Sequence, residues 1–105
     1  TGKPYREFLN VDDLSSAIDF VIKNNISDSL LNVGSGYEIS ISELVKKIQK
    51  VIDFKGKIDF DNTKPDGNPR KLLDSSKLFN YGWKPKIELT QGIEQTYDWF
   101  IKNIN

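Results

Sequence analysis

Apolar positions change their period several times along this chain, and each change marks an element. Leu14, Ala17, Ile18, Val21 and Ile22 recur at i, i+3, i+4, i+7 and i+8, one face of an amphipathic helix. Asp12 and Asp13 suit its start, where carboxylates accept free amide hydrogens and favour the positive dipole end, and Asn24-Asn25 breaks the pattern. A second helix has the apolar face Ile41, Leu44, Val45, Ile48 and Ile52, and its Ser40 and Glu43 match a capping box. Lys46, Lys47 and Lys50 then fall on its solvated side. Asp74 or Ser75 caps a short third helix carrying Leu78 and Phe79, which Gly82 stops, with Pro85 beyond. A fourth starts near Thr90 with the stripe Ile93, Tyr97, Phe100 and Ile104, and the asparagines at the end of the chain favour fraying.

Shorter runs read as strands. Residues 5–11 alternate, with Tyr5, Phe8 and Val11 as anchors; residues 30–33 form a short apolar run closed by Gly34-Ser35-Gly36; residues 57–61 alternate as a half-buried strand. Strand 30–33, the second helix and strand 57–61 make a right-handed βαβ unit if the strands are parallel. The expected class is mixed α/β, one domain over residues 1–105, with four helices and a small sheet containing that unit. Trp83, just after the third helix, is a core or interface anchor.

Composition narrows the chemistry. The chain has fifteen residues of each charge sign and neither cysteine nor histidine, which removes thiolate nucleophiles, disulfides, most zinc sites and every triad needing imidazole. Balanced charge gives no field for nucleic acid or an anionic membrane. No apolar run approaches the roughly 18 residues of a membrane span, so a soluble, cytoplasmic protein is expected. The start at Thr1, without methionine and inside a motif, raises the expectation of a piece of a longer chain.

Most catalytic templates fail. Gly34-Ser35-Gly36 lacks the third glycine of a dinucleotide loop, and no tyrosine has a lysine four residues later. The pairs Asp12/Asp13 and Asp59/Asp61 sit at a helix start and in a strand pattern, where structural roles are ordinary. One stretch stands apart: residues 64–74, Lys-Pro-Asp-Gly-Asn-Pro-Arg-Lys-Leu-Leu-Asp, gather three cations and an inner carboxylate around a turn stiffened by two prolines. Pro65 fits the second position of a type I turn over residues 64–67, and Pro69 keeps the loop out of a central strand. Two readings are open, a solvated turn and a grip for an anionic ligand. For the second, Arg6 supplies a planar fork, Lys71 a point charge, and Lys64 and Arg70 add to the field, while Asp66 can accept from sugar hydroxyls or an amide edge.

Residues 64–74 followed by Gly-Trp-Lys-Pro at 82–85 resemble the C-terminal region of the GDP-L-fucose synthase family, NADPH-dependent 3,5-epimerase/4-reductases within the extended short-chain dehydrogenase/reductase group. Residues 4–13 (Pro-Tyr-Arg-Glu-Phe-Leu-Asn-Val-Asp-Asp), Asn-Val-Gly-Ser-Gly at 32–36 and the second helix resemble the same family in the same order. Tyr81 departs from it, standing where leucine commonly precedes Gly-Trp. The resemblance implies that Arg6 and Lys71 contact the pyrophosphate or neighbouring sugar of a GDP-sugar, that Asp66 helps bind it, and that Arg70 and Lys64 are neighbours. It also implies that NADP(H) is bound by a preceding Rossmann domain absent from this chain, that the fragment binds no cofactor and does not catalyse alone, and that the parent is a homodimer. Two alternatives are another nucleotide-sugar epimerase or dehydratase of the group and a stand-alone, non-enzymatic binding module.

Overall fold

The computed structural model describes residues 1–104; Asn105, and with it the last of the terminal asparagines, lies outside the described residues. Among the described residues four helices form, at the places the periodicity marks: α1 (Val11–Lys23), α2 (Ile41–Val51), α3 (Ser76–Tyr81) and α4 (Leu89–Asn103). Three short strands, β1 (Tyr5–Glu7), β2 (Glu38–Ser40) and β3 (Arg70–Lys71), pair in the order β2-β1-β3. The β1–β2 pair is antiparallel and the β1–β3 pair parallel, so the sheet is mixed and β1 is central.

The sheet is built from other strands than the expected βαβ unit. Residues 30–33 and 57–61 join no ladder. Ile58 and Phe60 stay partly exposed, and Phe60 covers Gly2, where a Cβ would meet its ring at 2.6 Å. The parallel relation lies between β1 and β3, with α1, β2 and α2 between them in sequence. The turn before β3 also moves: the Lys64 amide donates to the Asp61 carbonyl at 3.3 Å, so residues 61–64 turn, not 64–67. Asp61 drives this by accepting from the Thr63 amide at 3.0 Å, an Asx-type bond that outcompetes the Pro65 preference. Pro69 lies beside an edge strand, and its carbonyl accepts from the Tyr5 amide at 2.9 Å.

Helix ends follow side-chain chemistry closely. The α2 capping box forms as expected, Ser40 accepting from the Glu43 amide and Glu43 from the Ser40 amide; the Ser40 hydroxyl, donating to the same carboxylate at 2.8 Å, and then the Ser40 amide hold the Glu43 carboxyl below its ordinary pKa. At α1 the cap is Asn10, whose Oδ1 accepts from the Asp12 amide at 2.8 Å. Asp13 is thereby freed for another task. At α3 it is Asp74 that accepts from the Ser76 amide, at 3.0 Å, while the buried Ser75 hydroxyl has no partner among the described residues. Gly82 ends α3 at φ 109, in the left-handed region that favours glycine.

The core is small. Among the described residues Ala17, Leu78 and Trp83 are its buried apolar residues, with Leu9, Phe20, Val21, Val33 and Phe79 packed around them. Trp83 stacks on Phe79 and its indole N–H donates to Ser16 Oγ at 2.9 Å. The molecule is a slab of 49 × 35 × 20 Å with a radius of gyration of 16.4 Å, against about 13 Å for a compact domain of this length. Twenty large hydrophobic residues are exposed among the described residues, Tyr5, Phe8 and Val11 included.

Candidate functional site

Alternation along β1 decides which side chains meet. Tyr5 pairs with Ser40 and Arg70, Arg6 with Ile39 and Lys71, and Glu7 with Glu38. Successive residues of a strand point to opposite faces, so Arg6 and Lys71 stand side by side on one face, and Tyr5, Glu7, Glu38 and Arg70 share the other. The loop 61–69 returns over the first face: the Arg6 Nη2 lies 4.0 Å from where a Cβ on Gly67 would be, and Gly67 has φ +74. Arg6 Nη1 donates to the Tyr5 carbonyl at 2.6 Å. Neither Arg6 nor Lys71 nor Lys64 has a carboxylate partner among the described residues.

The remaining two candidates are engaged within the protein. Asp66 accepts from the Thr1 amino group at 2.7 Å and from the Thr1 hydroxyl, and these bonds, the amino group first, hold its pKa below the ordinary value. Arg70 reaches over β1 to Glu38 with both Nε, at 2.8 Å, and Nη2. The Glu38 hydrogen bond, then its charge, raises the Arg70 pKa. Glu7 and Glu38 lie directly opposite each other, an unfavourable like-charge pair. Arg70 neutralises one member of it.

Glu7 is a residue that the patterning did not single out. Its Oε2 accepts from the Gly36 amide at 2.8 Å and its Oε1 from the Leu73 amide at 3.2 Å. One carboxylate thus ties the 34–36 loop and the segment after Lys71 to β1. A Cβ on Gly34 would stand 2.5 Å from Oε2, so this glycine is needed for the carboxylate to fit. Gly34→Ala is expected to push the carboxylate out of both bonds and cost about 1–2 kcal/mol, measured as a lowered unfolding midpoint; Gly36→Ala, strained for a different reason (φ +78), should leave the Glu7–Leu73 bond in place.

That loop also lacks the features of a dinucleotide-phosphate cradle. A glycine-rich nucleotide loop offers free backbone amides at a helix start. Here an acidic side chain occupies the Gly34 cradle, and the loop runs into β2 instead of a helix. These residues do not fit a dinucleotide phosphate.

Two clefts, of about 830 and 630 Å³, lie elsewhere. The first is lined by Tyr37, Glu43, Lys46, Lys47 and Lys86, and the second is almost wholly apolar between α2 and α4. Neither cleft is lined by Arg6 or Lys71; Arg6 is half-buried and Lys71 exposed. Among the described residues no group of side chains could hold a metal ion, and no helix is long and apolar enough to cross a membrane.

No family model matches the chain. It is 51% identical over 104 residues to GDP-L-fucose synthase 1 of Arabidopsis thaliana, across 99% of this chain and 32% of that protein. Its identity to the Escherichia coli K12 GDP-L-fucose synthase is 43% over 112 residues, 98% of this chain and 35% of that one. A solved GDP-L-fucose synthetase from Naegleria fowleri, bound to NADP, superposes with a TM-score of 0.86 at 26% identity, over 98% of this chain and 33% of that one. The chain thus carries the fold of one part of the extended short-chain dehydrogenase/reductase enzymes and spans about a third of the length of these relatives.

Proposed function

We propose that this chain is the C-terminal, nucleotide-sugar-holding part of a cytoplasmic NADP-dependent GDP-4-keto-6-deoxy-D-mannose 3,5-epimerase/4-reductase, and that it grips the diphosphate of the GDP-sugar without performing the chemistry. The observation that carries the reading is the pairing of Arg6 with Lys71 on one sheet face, both without a carboxylate partner among the described residues. Arginine offers a fork that matches two phosphate oxygens, and lysine a mobile point charge. An anion spanning them replaces their mutual repulsion with attraction. Lys64 adds to the field from the returning loop. Asp66, on the same returning loop, accepts from a hydroxyl or amide of the ligand. Arg70 acts through Glu38, holding β3 in register so that Lys71 stays beside Arg6.

Binding energy gathered here, away from the reacting carbons, fixes the sugar for groups on the rest of the enzyme. NADP(H) belongs to a Rossmann portion outside this chain, which also supplies the other side of the site, and the parent is a homodimer. Similarity to GDP-L-fucose synthases along the chain supports guanine as the base. The deciding measurement is calorimetric titration of the intact enzyme with GDP and with UDP. GDP is expected to bind at least about 10-fold more tightly; equal affinity would sink the guanine assignment, and no binding of either would sink the grip.

A further inference from the structure

Lys71 has to stand beside Arg6 for the two to share an anion, and the ladder that puts it there is short. β3 is a two-residue strand at the edge of the sheet, both its residues are exposed, and its pairing with β1 stops at Arg6 and Lys71. On the near side of Lys71 the strand is well tied: the Pro69 carbonyl accepts from the Tyr5 amide at 2.9 Å, and Arg70 is held by Glu38. On the far side no further ladder pair forms. A strand end left in that state frays.

The next pair in register would join Glu7 to Leu72, and there the Glu7 side chain takes over from the backbone, its Oε1 accepting from the Leu73 amide at 3.2 Å. The same carboxylate is steadied from its other oxygen by the Gly36 amide at 2.8 Å, and Gly34 has no Cβ to occupy the space where both oxygens sit. Glu7 is half-buried and has no cationic partner among the described residues. It is therefore a clamp on backbone and not half of an ion pair. A carboxylate next to Arg6 in sequence weakens the field that draws a phosphate, so its use there is geometric: it works from the opposite face of β1 and closes the end of the strand that carries Lys71.

We infer that Glu7 is a positioning residue of the anion grip: by holding the Leu73 amide it keeps Lys71 beside Arg6, and it affects the ligand only through Lys71. This rests on the proposal that Arg6 and Lys71 hold a diphosphate.

Calorimetric titration of the intact enzyme with GDP tests it, on the unsubstituted protein, Glu7→Gln, Lys71→Ala and the double variant. Glu7→Gln should weaken binding at least about 3-fold where Lys71 is present, and less than about 1.5-fold where Lys71→Ala has already removed the group it positions, a coupling of the size found between residues of one network. The sign is diagnostic, because losing a nearby carboxylate would by its field alone tighten the binding of an anion. Gly34→Ala keeps the charge but displaces it from both amides, so it should reproduce the loss, and it carries the test where Glu7→Gln fails to fold. Affinity unchanged or raised in Glu7→Gln and in Gly34→Ala overturns the inference. So does an equal loss with and without Lys71. A Lys71→Ala protein that binds GDP as tightly as the unsubstituted one is a different failure: it removes the diphosphate grip on which the inference rests.

Discussion

Arg6→Ala in the intact enzyme is expected to weaken GDP-sugar binding by roughly 10–100-fold, the equivalent of about 1.5–3 kcal/mol for charge-assisted hydrogen bonds. The loss should appear in KM, with kcat changed less, if the guanidinium holds, as proposed, a part of the substrate that does not react. Arg6→Lys should recover only a fraction, since an ammonium cannot grip two oxygens in one plane. Lys71→Ala, removing a single point charge at the exposed sheet edge, should cost less than Arg6→Ala. Folding is the control: Arg6 has no ion-pair partner among the described residues and donates only to the Tyr5 carbonyl, so the unfolding midpoint should barely move. A variant that loses stability and affinity together would mean that Arg6 is a structural residue.

How far the site was legible depends on what each residue needs for its role. Helices were readable because their information is local: Ser40 and Glu43 lie three positions apart, and the capping box they promise is the one that forms. Gly82 likewise stops α3 where a left-handed residue is required. Strands were not readable in the same way. A strand of two or three residues carries almost no period, and Arg70–Lys71 enters the sheet only because β1 arrives from the other end of the chain. Residues 57–61 have the better alternation and lack the neighbour. The same asymmetry governs the candidate site. Charge and geometry marked Arg6 and Lys71 as suited to phosphate, but their adjacency is a matter of register, and Arg70, one residue away, is turned by the strand period to the opposite face and to Glu38. Glu7 escaped notice because its partners are backbone amides, which every residue but proline carries, so no residue type advertises them.

The paired carboxylates at the start of α1 lead to the other large effect. Asp12 is exposed and serves the helix dipole, whereas Asp13 is 3% exposed and does something no local pattern states. Its Oδ1 accepts from the Lys86 amide and its Oδ2 from the Ile87 amide, each at 3.0 Å. Those amides belong to the segment between Trp83 and α4, so one side chain fastens that segment to α1. Asp13→Ala leaves two partly buried donors without acceptors and is expected to cost about 3 kcal/mol, on the order of 1–3 for each. For a domain of this size that is a fall of at least about 10 °C in the unfolding midpoint. Asp13→Asn discriminates sharply. Its single oxygen can serve one amide, while its NH2 turns a donor toward the other, so it should lose more than half of what alanine loses despite nearly identical shape. Asp12→Ala should cost only the few tenths that a charge near a helix N-terminus contributes. If Asp13→Asn left stability unchanged but lowered turnover, the carboxylate would be taking part in the reaction, and its place beneath the 85–89 segment would be incidental; the bond geometry predicts the reverse, a large loss of stability and a kcat per folded molecule that stays where it was.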